Sequence, residues 1–201
     1  MKPVSQPCLR NQDPILQVIK DYLVDPCHIL EIGCGTGQHA VYMAENLPHL
    51  TWHATDRFDA IYGANLWIEA SQRLPLATEL DISMPNWRSS LLFSVDHVYS
   101  ANVIHFVSME VMQNMFIELK TLLNIGAMVF LYGPYNQNGF TSEGNARLDV
   151  WLKADIDKRA GIKEIDDIKT LAKNAGLTLI ANHNMPANNH LLVLKKKAKR
   201  F

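Results

Sequence analysis

The stretch that decides the fold is Ile29-Leu30-Glu31-Ile32-Gly33-Cys34-Gly35-Thr36-Gly37. An apolar strand runs here into alternating glycines, and a helical pattern over residues 38–47 follows at once. Glycines at such a turn let the backbone pass close to a bound ligand and leave N–H groups free to face it. The pattern therefore predicts a strand–turn–helix unit that holds a cofactor.

Strands and helices alternate through the rest of the chain, which indicates a parallel sheet with helices on both faces. The predicted strands are residues 28–32, 51–55, 76–82, 95–101, 127–132, 177–182 and 190–194. The predicted helices are residues 14–23, 38–47, 58–74, 108–123, 145–158 and 164–174. The last two strands must be antiparallel, because a parallel pair needs a crossover of about a dozen residues or more. We expect a Rossmann-like α/β fold with a seven-stranded, mostly parallel sheet and an antiparallel last strand.

The length of 201 residues suits one domain. We expect residues 1–27 to form an N-terminal arm and helix and residues 28–201 to form the core of a single domain. A hydrophobic fraction of 48% with 19% charged residues excludes a disordered chain. The first residues lack the apolar core of a signal peptide, and no apolar run is long enough to span a membrane. The expected location is the cytoplasm, without a membrane partner.

The charges nearly balance, with 19 Lys and Arg against 20 Asp and Glu. A net charge of −1 excludes the broad basic field of a non-specific nucleic-acid binder. Only residues 195–200, KKKAKR, form a basic run. This run could contact RNA or acidic lipid, but a solvated chain end is the simpler interpretation. No spacing of Cys, His or carboxylates suggests a metal ligand set, so no metal is expected.

The spacing of the glycines separates two kinds of nucleotide cofactor. A dinucleotide turn follows G-x-G-x-x-G, whereas here the third glycine comes one place early and Gln38 stands where that pattern has glycine. The form Glu31-x-Gly33-x-Gly35-x-Gly37 resembles motif I of class I S-adenosylmethionine (SAM)-dependent methyltransferases. The resemblance implies that the turn approaches the methionine and ribose part of SAM, and that Glu31 helps to orient the amino-acid end. A merely tight strand-to-helix turn is the alternative.

Asp56 closes the second predicted strand about twenty residues after the glycines, where an open α/β sheet places the acid that binds both ribose hydroxyls. A carboxylate that accepts two O–H donors matches a vicinal diol. Arg57 beside it leaves an NADP-type site as an alternative, which the glycine spacing disfavours. Asp59 lies inside the next predicted helix and is interpreted as a solvated N-terminal charge.

Two further strand ends carry candidates for the cofactor site. Asp81 and Ile82 end the third predicted strand, where the methyltransferase pattern implies an acid for the adenine amino group and a neighbour that packs on the ring. Asn102 follows the fourth strand and offers backbone or side-chain contacts to the cofactor. The alternatives are a helix cap or loop acid at Asp81 and ordinary turn chemistry at Asn102.

Short signatures extend the resemblance over essentially the whole chain. They are RNQDPI at residues 10–15, GTGQHA at residues 35–40, ANVIH at residues 101–105, YGPY at residues 132–135, SEGN at residues 142–145 and MPANN at residues 185–189. Together they resemble the DUF938 family, also called methyltransferase-like 26. The resemblance implies a SAM-dependent methyltransferase fold and supplies no substrate.

Candidates for the reacting end come from loops beyond the carboxyl ends of the strands, where ligands bind in open α/β sheets. They are His105 after the fourth strand, Tyr132 and Tyr135 after the fifth, and Asn188, Asn189 and His190 in the last turn. A base is required only if the acceptor loses a proton early. By position alone, His105, Tyr132 and Asn189 are the candidate catalytic residues. The alternatives are a structural histidine and good turn residues.

The N-terminal arm carries Arg10 and Asn11, which we interpret as a lid over the cofactor. The fork of an arginine suits the carboxylate of SAM, and a surface arginine is the alternative. His39 and His53 have no partner at a metal-type spacing and receive no role.

The function expected from the sequence is methyl transfer from SAM to an unknown small molecule or protein side chain, with nucleic acid an unlikely partner and no oligomeric state indicated. A SAM-binding or partner-binding module without turnover is the first alternative, in which the loops at residues 136–145 and 185–189 form a protein interface. A nicotinamide oxidoreductase is the second.

Overall fold

The structure is a computed structural model that describes residues 2–198. The α-helices in this range are α1 (Gln6–Ile19), α2 (Gln38–Asn46), α3 (Phe58–Ser71), α4 (Met109–Leu122), α5 (Glu143–Trp151) and α6 (Ile165–Asn174). The strands are β1 (His28–Ile32), β2 (Thr51–Asp56), β3 (Thr78–Glu79), β4 (His97–Ala101), β5 (Met128–Asn136), β6 (Lys163–Glu164), β7 (Leu177–Met185) and β8 (Asn189–Lys196). Short helical turns lie at Trp87–Ser90, Ile104–Phe106, Leu152–Ile156 and Pro186–Asn188.

The strands form one sheet in the order β3-β2-β1-β4-β5-β8-β7, and β6 pairs with β5. β1 is parallel to β2 and β4, whereas β8 is antiparallel to both β5 and β7. This confirms the predicted α/β fold with a mostly parallel sheet and antiparallel last strands. The two-residue β6 was not predicted, because two residues carry no periodic signal.

The chain divides into two compact units. The first unit holds the described residues up to Asp81 together with Ser90–Ser100. The second unit holds Ile82–Ser89 together with the described residues from Ala101 onward. The single domain over residues 1–201 stays a prediction.

In the first unit, the prediction for the N-terminal helix was wrong. We expected a helix at residues 14–23 after a polar arm, but α1 begins at Gln6 because the hydroxyl of Ser5 accepts the N–H of Cys8 and caps the helix. Pro14 lies inside α1 rather than in its first turn. Buried Ile15, Leu16 and Ile19 keep the helix packed against the core despite the hydrogen bond that proline cannot donate.

Other predicted boundaries also differ. The fifth strand extends to Asn136 rather than residue 132, so Tyr132 and Tyr135 lie within β5 and not after it. The third strand was expected over residues 76–82 but is reduced to Thr78 and Glu79, both exposed, which pair with the end of β2. In the second unit, β7 reaches Met185 rather than residue 182 because its outward positions alternate with inward ones along the whole strand. The polar outward residues concealed this length in the sequence.

Within residues 2–198, no helix combines the length and the apolar character needed to cross a bilayer. The basic run at residues 195–200 begins in β8, and residues 199 and 200 lie outside the described residues.

Candidate functional site

The glycine turn follows β1 in the first unit and is fixed by backbone hydrogen bonds. The N–H groups of Gly33 and Cys34 both donate to the carbonyl of Thr55 at 2.9 Å, which ties the turn to β2. Gly35 has φ +54°, and a Cβ added there would meet no atom within 4 Å. Gly37 has φ +78°, and a Cβ there would stand 2.9 Å from the carbonyl oxygen of Ala64. Gly37 thus permits close packing on α3, whereas Gly35 leaves open space beside the backbone.

Asp56 closes β2 beside this turn, as the sequence predicts. Its Oδ2 accepts the N–H of Gly35 at 2.7 Å, and its Oδ1 accepts the N–H of Arg57 at 2.8 Å. A carboxylate has about four acceptor positions, so the half-buried side chain can still accept hydroxyl donors. The guanidinium of Arg57 pairs with the carboxylate of Asp59 at 3.3 Å on the surface.

Glu31 is the buried acid of β1. It is 1% exposed, and its Oε2 accepts the indole N–H of Trp52 at 2.7 Å. Burial raises the pKa of Glu31 to about 8, and the negative charge of Asp56 adds to the increase. The carboxyl of Glu31 is therefore mainly protonated at pH 7, and a nearby cation would favour its ionisation.

Gln38 is the first residue of α2 and is 3% exposed. Its Oε1 accepts the N–H of Ser5 and the hydroxyl of Thr36. Its Nε2 is buried and has no hydrogen-bond partner among residues 2–198. Because buried donors are nearly always satisfied in native proteins, an ordered water or a bound ligand would complete the hydrogen bonding of this amide. In the sequence, Gln38 stands out only as a departure from the dinucleotide pattern and as part of GTGQHA.

Arg10 and Asn11 lie in α1, not on an extended arm. Asn11 is buried, and its Oδ1 accepts a hydrogen bond from Nε2 of His39 at 2.7 Å. Nδ1 of His39 in turn accepts the hydroxyl of Tyr99 at 3.3 Å. Burial lowers the pKa of His39 to about 4, so this chain of bonds is uncharged at pH 7. His39, to which the sequence gave no role, thus links α1, α2 and β4. Arg10 is exposed and makes no ion pair within the described residues.

The remaining cofactor candidates fall at strand ends in different units. Asp81 is half-buried and ends the first of the two segments that make up the first unit. Ile82 lies in the second unit, where it is buried and its carbonyl accepts the amide of Asn114 at 2.7 Å. Asn102, also in the second unit, has φ +60° and donates its N–H to the carbonyl of Tyr132 at 2.8 Å. The structure thus joins Gly35 of the turn directly to Asp56 by a hydrogen bond, and the roles of Asp81, Ile82 and Asn102 stay predictions.

His105 and Tyr132 are both buried in the second unit. Burial, and then the positive charge of Lys163, lower the pKa of His105 to about 4. A Cβ added at Gly133 would stand 3.5 Å from Nδ1 of His105, which is ordinary packing contact. With this pKa, the ring of His105 is neutral at pH 7 and is a weak base. The best general base has a pKa near the working pH, so His105 is poorly matched to that role. The catalytic roles of both residues stay predictions.

Asn189 lies in the lining of a cavity of about 230 Å³ in the second unit. The other lining residues are Tyr135, Gln137, Phe140, Ser142, Asn145, Asn184, Met185, Asn188 and His190. The two loops that the sequence suggested as a protein interface therefore meet around one cavity. The sequence indicated Tyr135, Asn188 and His190 as candidates for the reacting end and contained Asn145 only within the SEGN signature and the loop at residues 136–145, whereas Asn184 had no signal. Among residues 2–198, no cluster of three or more His, Cys or carboxylate side chains could hold a metal ion.

Comparison with solved structures identifies the class of fold. The chain is similar to an O-methyltransferase family protein from Burkholderia thailandensis, with a TM-score of 0.81 and 14% identity over 96% of this chain and 58% of that one. It is also similar to mitomycin 7-O-methyltransferase MmcR, with a TM-score of 0.79 and 11% identity over 94% and 54% of the two chains. The S-adenosylmethionine-dependent methyltransferase SibL gives a TM-score of 0.76 and 17% identity over 95% and 56%.

These likenesses show the fold of SAM-dependent methyltransferases, and the chain spans little more than half the length of the three proteins. The family model described as "Protein of unknown function (DUF938)" matches residues 2–196. The chain belongs to the DUF938 family.

Proposed function

We propose that the protein is a SAM-dependent methyltransferase that binds SAM in its first unit. The observation that carries the proposal is the open glycine turn, whose Gly35 N–H is bonded to the carboxylate of Asp56. An acid held at the tip of the neighbouring strand suits a ribose, and the methyltransferase fold of the chain supports the same cofactor. The acceptor class, a small molecule or a protein side chain, stays open at this step.

The polar groups of the first unit divide between the two ends of such a ligand. Asp56 would accept the ribose hydroxyls with the acceptor positions that Gly35 and Arg57 leave free. The unpartnered Nε2 of Gln38 would donate to the carboxylate of the methionine end. Glu31, ionised by a nearby cation, would stabilise the positive charge of the same end. Bound SAM supplies an electrophilic methyl group on a sulfonium sulfur.

What the protein contributes to methyl transfer is mainly position. Holding a nucleophile and the methyl carbon at attack distance supplies several kcal/mol without any proton transfer. The low pKa of His105 fits an environment that excludes water better than it fits a general base. A nicotinamide reaction is disfavoured, because the glycine spacing is wrong for a pyrophosphate and Arg57 already pairs with Asp59.

A matched pair of aspartate variants tests the cofactor site. SAM at about 100 times its dissociation constant should stabilise the wild-type protein by about 2.7 kcal/mol and raise its melting temperature. Asp56→Ala should weaken SAM binding by more than about tenfold, because it removes charge-assisted hydrogen bonds of about 1.5–3 kcal/mol. Asp59→Ala removes an exposed charge from the next helix and should leave the affinity unchanged.

Thermal shift with SAM and with S-adenosylhomocysteine measures both effects. No shift for the wild-type protein, or equal affinity in the two variants, would contradict the proposed site. Formation of S-adenosylhomocysteine from SAM, assayed with fractions of small molecules and of proteins, then separates an enzyme from a binding module. Tight SAM binding without product in every fraction would favour the module.

A further inference from the structure

We propose that the cavity of the second unit is a binding site for a small, uncharged, polar molecule about the size of one substituted aromatic ring. The proposal concerns ligand binding alone and does not depend on methyl transfer, although a methyl acceptor is the natural candidate for such a ligand. Its support comes from the size of the cavity, from the unpartnered polar groups in its lining and from the absence of charge there.

The cavity has a definite size and a composite wall. Its volume of about 230 Å³ lies below the range of about 300–1,000 Å³ that is usual for drug-sized ligands, so the occupant must be small. One wall comes from residues 135–145, where β5 runs into α5, and the other comes from residues 184–190, where β7 turns into β8. Backbone pairing of β8 with β5 brings the two walls together.

Asn145 is the central polar group of the lining. Asn145 is only 6% exposed and lies in the first turn of α5. Its backbone N–H is bonded to the hydroxyl of Ser142, but its carboxamide makes no hydrogen bond within residues 2–198. The polar atoms of this carboxamide are not among the fully buried, unpartnered atoms of the described residues, so they are accessible from the cavity. A ligand that both donates and accepts would take the place of solvent at this group.

Three further carboxamides line the cavity at exposed positions. Those of Gln137, Asn184 and Asn188 also make no hydrogen bond to the described part of the chain. Each offers two donors and one acceptor oxygen. Tyr135, which is 4% exposed, adds a buried hydroxyl that has no partner among residues 2–198. Burial raises the pKa of Tyr135 far above its ordinary value, so the hydroxyl keeps its proton.

The lining carries no formal charge. None of its ten residues is Asp, Glu, Lys or Arg. Nδ1 of His190 donates to Oδ1 of Asn182 at 2.9 Å, and burial lowers the pKa of this histidine, so its ring is neutral at pH 7. A charged ligand would lose hydration here without gaining a counter-charge, which is costly. The cavity therefore favours neutral ligands over carboxylates, phosphates and ammonium groups.

Aromatic rings in the lining favour a flat ligand. The ring of Tyr135 meets that of His190 edge to face, with centroids 6.3 Å apart. Phe140 contributes a ring that is 69% exposed. Aromatic pairs stabilise a complex beyond the area they bury. A ligand ring that covers Phe140 would also remove exposed apolar surface from water.

Three matched probes test the proposal in the full chain: neutral 4-hydroxybenzamide, anionic 4-hydroxybenzoate and cationic 4-hydroxybenzylamine. The readout is the set of side-chain amide ¹H–¹⁵N signals of Gln137, Asn145, Asn184 and Asn188, which lie in the lining. Millimolar 4-hydroxybenzamide should shift these signals, and the two charged probes should bind at least about tenfold more weakly. No shift with the neutral probe, or equal binding of a charged probe, would overturn the proposal.

Variants then locate the binding. Asn145→Leu keeps the side-chain volume and removes the carboxamide, and it should weaken the neutral probe by about 3- to 10-fold. Tyr135→Phe removes only a hydroxyl without a partner, so it should fold at least as well as wild type and still weaken the probe by a similar factor. Gln113→Ala removes an exposed amide of α4 outside the cavity and should change nothing. Unchanged affinity in Tyr135→Phe and in any folded Asn145→Leu would contradict the assignment.

Discussion

Two turns of the molecule each place more than one residue in the left-handed backbone region, one with glycines and the other with residues that carry side chains. The turn after β1 uses Gly35 and Gly37, with φ of 54° and 78°. The turn between β7 and β8 uses Ala187 and Asn188, with φ of 58° and 57°. Glycine adopts this conformation without a steric penalty, whereas an L side chain costs about 1–2 kcal/mol. The first turn therefore leaves open space beside its backbone at Gly35, whereas the second presents the side chains of Ala187 and Asn188 at the cost of backbone strain.

The ionisable groups around the two turns also differ. Around the first turn stand two carboxyl groups, Glu31 and Asp56, and a buried amide donor at Gln38. Around the second turn the lining is made of carboxamides, rings and hydroxyls. The first region suits a cationic cofactor with a diol, and the second suits a neutral molecule that is recognised by side chains. Strain clusters at ligand sites, which agrees with a recognition role for the second turn.

We expect the largest loss of stability from a substitution at Gly37, which packs on α3, and a smaller loss at Gly35, which faces open space. Gly37→Ala should lower the free energy of unfolding by about 2–5 kcal/mol, since it combines left-handed strain with a clash against the Ala64 carbonyl. Gly35→Ala meets no neighbour and should cost only the strain, about 1–2 kcal/mol. Urea denaturation of both variants measures the difference. Equal losses would show that the turn does not pack on α3 as described.

The next effect concerns the buried acid of the first region. The pKa of Glu31 is about 8 in the folded protein, against an ordinary value of 4.5. Between these values the folded state holds a proton that the unfolded state has released, so stability falls as pH rises through the window. Glu31→Gln keeps an acceptor for Trp52 and has no charge to bury.

The Glu31→Gln variant should therefore be more stable than wild type by about 2–4 kcal/mol at pH 9, and the gap should close towards pH 4.5. Melting temperatures measured across this range test the sign. Glu45→Gln, at an exposed position of α2, is the control and should follow wild type. A gap that widens towards low pH would contradict the protonated state of Glu31.

The smallest effect belongs to the second turn. Ala187→Gly relieves left-handed strain but adds freedom to the unfolded chain, so a net stabilisation of about 0.5 kcal/mol is expected. Ala146→Gly, inside α5, should instead destabilise by about 1 kcal/mol. Chemical denaturation of the pair gives opposite signs if Ala187 is strained. A loss of stability at both positions would remove the contrast between the two turns.

The sequence predicts the glycine turn better than the cavity, because the residues of the turn lie close together along the chain and those of the cavity do not. The glycine turn and Asp56 belong to one strand–helix–strand unit, so spacing along the chain placed them correctly. The cavity brings together residues about fifty positions apart, and asparagine in a loop is common, so no pattern indicated that Asn145 of the SEGN signature and Asn184 share one site.

Other failures have equally local causes. The start of α1 was missed because Pro14 was expected in the first turn, although Ser5 caps the helix nine residues earlier. The left-handed conformation of Ala187 has no sequence signal, since alanine rarely adopts it. Gln38 carried a signal within GTGQHA, but only the structure shows that its amide is buried without a partner among the described residues.

A crystal grown with equal millimolar concentrations of S-adenosylhomocysteine and NADPH decides which cofactor the glycine turn binds. We predict density for S-adenosylhomocysteine at the glycine turn, with the ribose hydroxyls in hydrogen-bonding distance of the carboxylate of Asp56. Density for NADPH there, with its pyrophosphate against Gly35, or S-adenosylhomocysteine bound away from Asp56, would rule out the proposed SAM site.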